Sequence, residues 1–113
     1  MKKGIITRLI SHEILYNLKK NNKNFDELQN YYYEKYNLSI SDKKLVHNIV
    51  LSCMRWHLQT KKIIFKYVKK KISINQYILL LSGVTQLVFL DFKDYAVINS
   101  SVELAKHKKI NVY

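Results

Sequence analysis

A chain of 113 residues can bury one modest core, and with no proline and only two glycines, Gly4 and Gly83, it lacks the punctuation of hairpins and sandwiches. The single cysteine, Cys53, has no partner for a disulfide and no metal-spaced neighbour, which excludes disulfide frameworks and zinc modules and favours a reduced compartment. A net charge of +12 points to a polyanion such as nucleic acid, although the charge is almost all lysine amid many Asn, Ile and Tyr, a mixture that an AT-rich genome also yields without any partner.

The N-terminal run MKKGIITRLISHEILY is broken by Arg8, His12 and Glu13 too early for a signal peptide. The apolar run 77–90 is shorter than the ~20 residues a membrane-spanning helix needs, so the expectation is a soluble, cytoplasmic chain with no membrane partner. Six helices follow in order. In the first, Ile6, Ile10, Ile14 and Leu18 recur every four residues as a packing stripe, and Arg8, His12, Tyr16 and Lys20 form a second stripe that faces solvent or a ligand. The second, Phe25 to Tyr36, places Phe25, Leu28 and Tyr32 on one side, and its YYY at 31–33 cannot share one face, so at least one ring is exposed.

The third helix, about Asp42 to Trp56, has Ser41 as candidate N-cap. It buries Leu45, Ile49 and Cys53 and carries Lys44, Asn48 and Arg55 on its polar side. After a break near 57–60 the fourth packs through Ile63, Ile64, Tyr67 and Val68, with lysines 69–71 complementing the dipole at its end. The fifth, NQYILLLSGVTQLVFLDF, is apolar nearly all round and therefore central, with Leu81, Val84, Leu87 and Val88 in the core; Gly83 within it implies a closely approaching neighbour. The sixth starts at Asp94 as N-cap, turns Val97, Ile98, Ser101, Val102 and Ala105 inward, and ends in a basic cluster.

Four stretches then resemble one family in register: RLISHEILY at 8–16, DKKLVHNIVLSCMRWHL at 42–58, GVTQLVFLDF at 83–92 and YAVINSSVELAK at 95–106. They are similar to the NusB-like fold, found in the antitermination factor NusB and in the N-terminal domain of the RsmB (Sun/Fmu) ribosomal RNA cytosine-C5 methyltransferases. The wording MRWHL and TQLVFL is closer to the methyltransferase branch. Departures are Ser52 for the family's usual glycine, Lys93 for its proline and Ser100 for its glutamate. The chain stops at KKINVY, ahead of the family's closing helix. The resemblance therefore implies an all-α, NusB-like bundle of about six helices over residues 1–113, a single domain and a truncated N-terminal module. Loss of the closing helix should leave an apolar groove among helices one, five and six.

No glycine-rich loop for S-adenosylmethionine is present, and the one cysteine lies inside a helix, so methyl transfer is not expected of this chain and that cofactor would belong only to a missing catalytic domain. Asp42 with His47 and Glu103 with His107 are helical acid–His pairs of the kind that serve as surface ion pairs, and no triad or metal spacing appears. Two binding readings compete. In one, the resemblance and the stripe on the first helix make Lys2, Lys3, Arg8, Tyr16, Lys106, Lys108 and Lys109 an RNA-contacting surface. Cations would hold phosphates and Tyr16 would stack on an unpaired base of ribosomal RNA. Arg55 and Trp56 read equally as RNA contacts or as structure, Trp56 in the core and Arg55 paired with Asp91 or Asp94. In the other reading the domain binds protein, a ribosomal protein as NusB does or an adjoining methyltransferase domain.

Overall fold

The computed structural model describes residues 3–21 and 23–108, and the expectation of an all-α bundle is borne out. Six helices run in order: α1 (Lys3–Lys20), α2 (Phe25–Lys35), α3 (Ile40–Arg55), α4 (His57–Tyr67), α5 (Ile74–Val88) and α6 (Asp94–His107). Among the described residues there is no strand, and no helix is long and apolar enough to cross a membrane. The termini are set by local chemistry. Asn24, Ser39 and Ser73 accept the backbone N–H three residues on, and Ser73 with Gln76 completes a reciprocal capping box at the head of α5. The cap of α3 is thus Ser39 and not Ser41. Likewise Lys93 occupies the N-cap position of α6 with no side-chain bond, leaving Asp94 in the first turn, where its charge suits the dipole. Asn37 and Asp91 take positive φ in the turns before α3 and α6, a conformation their short polar side chains tolerate.

Two helices share the centre. α1 packs on α2, α3, α5 and α6, and α5 packs on α1, α3, α4 and α6. Ile10 and Ile14 of α1, Val46, Ile49, Val50 and Cys53 of α3, and Ile78 and Leu81 of α5 form the main core. Burial pushes the Cys53 thiol up to about 12, so it is an inert apolar residue. Because α1 is covered on so many sides, the two-stripe reading of it fails at one position: His12 is fully buried. On α5 the expected core set also shifts. Leu81 is buried, Val84 and Leu87 are half-buried, and Val88 is 53 % exposed, while Tyr77, Ile78, Leu79, Ser82, Thr85 and Gln86 are covered. On α6, Val97 and Ala105 turn inward as expected, joined by Ser100 and Leu104, but Ile98 and Val102 remain exposed. Tyr67, expected to pack α4, points out at 74 % exposure, and Phe65 stacks on Tyr77 instead.

The half-buried and exposed positions Val84, Leu87, Ile98 and Val102 share one cause. Between α5 and α6 runs an apolar groove of about 220 Å³ lined by Leu80, Val84, Leu87, Ile98 and Val102, so residues that the periodicity assigns to a core face an open slot. This groove lies between α5 and α6 alone, not among helices one, five and six as expected. At its floor α6 does approach Gly83, but a Cβ built there would meet Ser101 Oγ at 3.5 Å, an ordinary contact. On α2 the three tyrosines divide as expected: Tyr31 is exposed, Tyr32 buried and Tyr33 between them.

Candidate nucleic-acid interface

The basic end of α6 is brought onto the middle of α1. Leu104 and Ala105 pack with Leu9 and Leu79 in a small second core, which fixes the last turn of α6 over α1. Lys108 then pairs with Glu13, the only acid on α1, with both side chains largely shielded. Arg8 lies five residues before Glu13, about 7.5 Å along the helix axis. Lys106 stays at the surface, 3.7 Å from Glu103 one turn earlier.

Arg8 is built in. Its Nε donates to Gln86 Oε1 at 3.0 Å and its Nη1 donates to the Gly4 carbonyl at 3.3 Å. Gln86 is itself held, its amide donating to the Ser82 carbonyl and hydroxyl at 3.1 and 3.0 Å. The guanidinium also sits 5.9 Å from the centre of the Phe92 ring. Burial draws the Arg8 pKa below its ordinary value, yet an arginine remains cationic at neutral pH. A planar fork with a fixed direction and remaining N–H groups can take a phosphate in one geometry, which a free lysine cannot impose.

Beneath this surface His12 is sealed. Its Nε2 bonds Asn75 Oδ1 at 2.9 Å, and Nδ1 has no partner among the described residues. Desolvation draws its pKa down, opposed by the Asn75 bond and Glu13 and reinforced by Lys108. The neutral ring supports the face from below and does not contact a ligand. Tyr16 is half-buried, and Lys20 Nζ lies 5.7 Å from its ring centre, so the ring presents an edge of the same face with a cation beside it. Lys3 falls in the first turn of α1, whereas Lys2 and Lys109 lie outside the described residues.

The structure thus brings Lys108 onto α1 at Glu13, one turn from Tyr16, while Arg8, about 140° round the helix from Glu13, is turned toward Gln86 and Phe92, and Arg55 and Trp56 lie apart at the end of α3. Trp56 stacks face to face on Phe89 at 4.6 Å, half-buried between α3 and the end of α5. Arg55 is exposed and makes no ion pair with Asp91 or Asp94. Sequence reasoning missed Gln86, Glu13 and Asn75, the groups that position the site. The available signals were a glutamine within an apolar helix and a single acid among the cations of α1.

The family model for the NusB family matches residues 6–111. Two solved structures share the fold. One, described as a plectonemic RNA supercoil, superposes with a TM-score of 0.86 at 23 % identity, covering 96 % of this chain and 83 % of that one. The other, the antitermination factors NusB and NusE in complex with double-stranded RNA, gives 0.84 at 22 % identity, covering 96 % and 85 %. No curated protein matches the chain.

Proposed function

This chain belongs to the NusB family, and we propose that it binds single-stranded ribosomal RNA across the face where α1 meets the end of α6. The observation that carries this reading is that two cations are held in place, Lys108 on α1 by Glu13 and Arg8 by Gln86. These contacts fix both charges on an otherwise diffusely basic protein. In this reading, Arg8 receives a phosphate in its fork, Lys106 adds a mobile charge, and Tyr16 offers an edge for an unstacked base. Lys2, Lys3 and Lys109 belong to the reading from their positions in the chain alone. The double-stranded RNA in the NusB–NusE complex of similar fold supports RNA as the ligand, and the single-stranded form rests on the Tyr16 ring alone.

Two roles use the same face. As the substrate-positioning module of a cytosine-C5 methyltransferase, the domain would present ribosomal RNA to a catalytic domain that supplies S-adenosylmethionine chemistry. As an antitermination factor, it would hold RNA beside a ribosomal protein. The reading frame after Tyr113 separates them, since continuation into a glycine-rich methyltransferase domain supports the first and an early stop the second. A protein-binding reading without RNA contact draws on the apolar α5–α6 groove. Salt discriminates here, because phosphate contacts weaken steeply with added salt and an apolar interface does not.

The test is a pair of triple variants read by fluorescence anisotropy on single-stranded ribosomal RNA fragments. Changing Arg8, Lys106 and Lys108 to alanine should weaken binding and flatten the salt slope by roughly 0.7 per lost contact. Changing Lys69, Lys70 and Lys71 in the loop after α4 removes the same charge and should do much less. Equal losses would mean diffuse electrostatics and would overturn the site.

A further inference from the structure

A second set of cations lies between α2 and α3, where the proposed RNA face does not reach. There a groove of about 410 Å³ is lined by Lys43, Lys44 and Arg55, together with Tyr33, His47 and Asn48, and no carboxylate lines it. Its polar wall is already held. Tyr33 Oη donates to Gln29 Oε1 at 2.8 Å, His47 Nδ1 bonds the same oxygen at 2.6 Å, and the Phe25 ring stacks on His47 at 5.8 Å. The cations, in contrast, are at liberty. Lys44 and Arg55 are exposed with no partner among the described residues, and Lys43 only overlies the Tyr33 ring at 5.9 Å. Of the two arginines in the chain, Arg8 is buttressed in the first face and Arg55 is free in this one.

Spacing decides what kind of anion this groove fits. Lys44, Asn48, Leu51 and Arg55 follow one another at intervals of four, three and four residues, so they lie along one stripe of α3. Eleven residues separate Lys44 from Arg55, about 17 Å of helix. No single phosphate bridges that distance, whereas consecutive phosphates of an extended strand do. Between the charged ends lie an exposed Leu51 and the half-buried Tyr33 ring, apolar and aromatic surface suited to bases. α1 carries the first face and packs on both α2 and α3, and the molecule extends only 39 × 31 × 26 Å, so the two surfaces lie within one small domain's length of each other.

We infer that the α2–α3 groove is a second RNA-binding surface, in which Lys43, Lys44 and Arg55 hold the phosphate backbone of the same single strand as it runs on from the α1–α6 face. The inference rests on the proposed RNA binding at that first face, and the test keeps the two apart. Binding is measured with a ribosomal RNA fragment of about 6 nucleotides and one of about 16, spanning the range of single-strand site sizes. The Lys43→Ala/Lys44→Ala/Arg55→Ala variant should lose roughly tenfold in affinity for the long RNA, with a salt slope shallower by roughly 2, and bind the short one as before. Arg55→Lys, which keeps the charge but not the fork, should lose part of the long-RNA affinity. Circular dichroism should show all variants folded, since the three side chains are exposed.

If the groove variant binds both RNAs normally while the Arg8, Lys106 and Lys108 variant fails on both, the second surface is overturned and the first stands. If the groove variant loses both RNAs equally, the two surfaces are not distinct and the inference also fails. If the groove variant loses long RNA while the first-face variant is unaffected on either, the groove alone binds RNA and continuity between the faces is refuted. Displacement of long RNA by poly-glutamate from the wild type but not from the groove variant would assign the groove to acidic protein and overturn the RNA reading of it.

Discussion

The two basic regions differ in how their charges are held. At the α1–α6 face Arg8 is bonded to Gln86, and Lys108 to Glu13, so direction is fixed and part of each charge is internally engaged. In the α2–α3 groove the wall is fixed through Gln29 while Lys44 and Arg55 are exposed without partners among the described residues. The first arrangement suits selection of a geometry, because a buttressed fork loses little freedom on binding a phosphate. The second suits attraction, because free cations act through charge and respond to salt. On a chain with this much lysine, immobilised charge is therefore a better mark of a site than charge itself.

The largest expected effect breaks both regions together. Ile10 is fully buried where α1 meets the core, so Ile10→Ala should cost about 2–5 kcal/mol in chemical denaturation. A loss below 1 kcal/mol would show that α1 is not the shared wall described. Next comes the latch. Glu13→Gln leaves Lys108 without its counter-charge in a largely shielded place and should cost about 1–2 kcal/mol, between the ranges for exposed and buried pairs. For a domain near this size that lowers Tm by roughly 4–8 °C. The same variant should weaken short-RNA binding and leave the groove contribution to long RNA unchanged.

Much of this fold was legible because helices betray themselves locally. The stripe Ile10 and Ile14, the run through Ile49 and Cys53, and the apolar 77–90 segment each follow from spacing alone. The errors fall where a helix has more neighbours or fewer than an amphipathic pattern assumes. His12 reads as polar and outward, but α1 is enclosed by four helices and buries it. Ile98 and Val102 read as core, but they border a slot that nothing fills among the described residues. The cations of the first face could be picked from the stripe on α1 and the end of α6. Their supports could not, because Gln86 lies 78 positions from Arg8 and Lys108 lies 95 from Glu13, and no local pattern links them.

The enclosed histidine sharpens the contrast through pH. Burial lowers the His12 pKa, with Lys108 adding to the effect and the Asn75 bond and Glu13 opposing it. The unfolded chain then binds more protons between the folded value and the ordinary value near 6.5, so stability is fully present above that value and falls as pH drops through the folded one. His57, lowered by desolvation with Lys19 and Lys61 nearby, contributes in the same direction. Denaturation at about pH 7.5 and about pH 5.5 should show the drop, and His12→Gln should remove part of it. No change in that difference would mean His12 is not held neutral. The smallest effect is a gain. At Gly83 an added methyl meets only ordinary contact with Ser101, so Gly83→Ala should stabilise by about 0.5–1 kcal/mol, measured as a rise in denaturation midpoint.

The central claim is that RNA is held where α1 meets α6, and amide chemical-shift mapping tests it most directly. Titrating a short single-stranded ribosomal RNA into isotope-labelled protein should move resonances of α1 between Arg8 and Tyr16 and of α6 at Lys106 and Lys108, together with the side-chain amide of Gln86, which reports on the Arg8 fork. Shifts confined to α4 and the lysines at 69–71, with α1 and α6 silent, would contradict it.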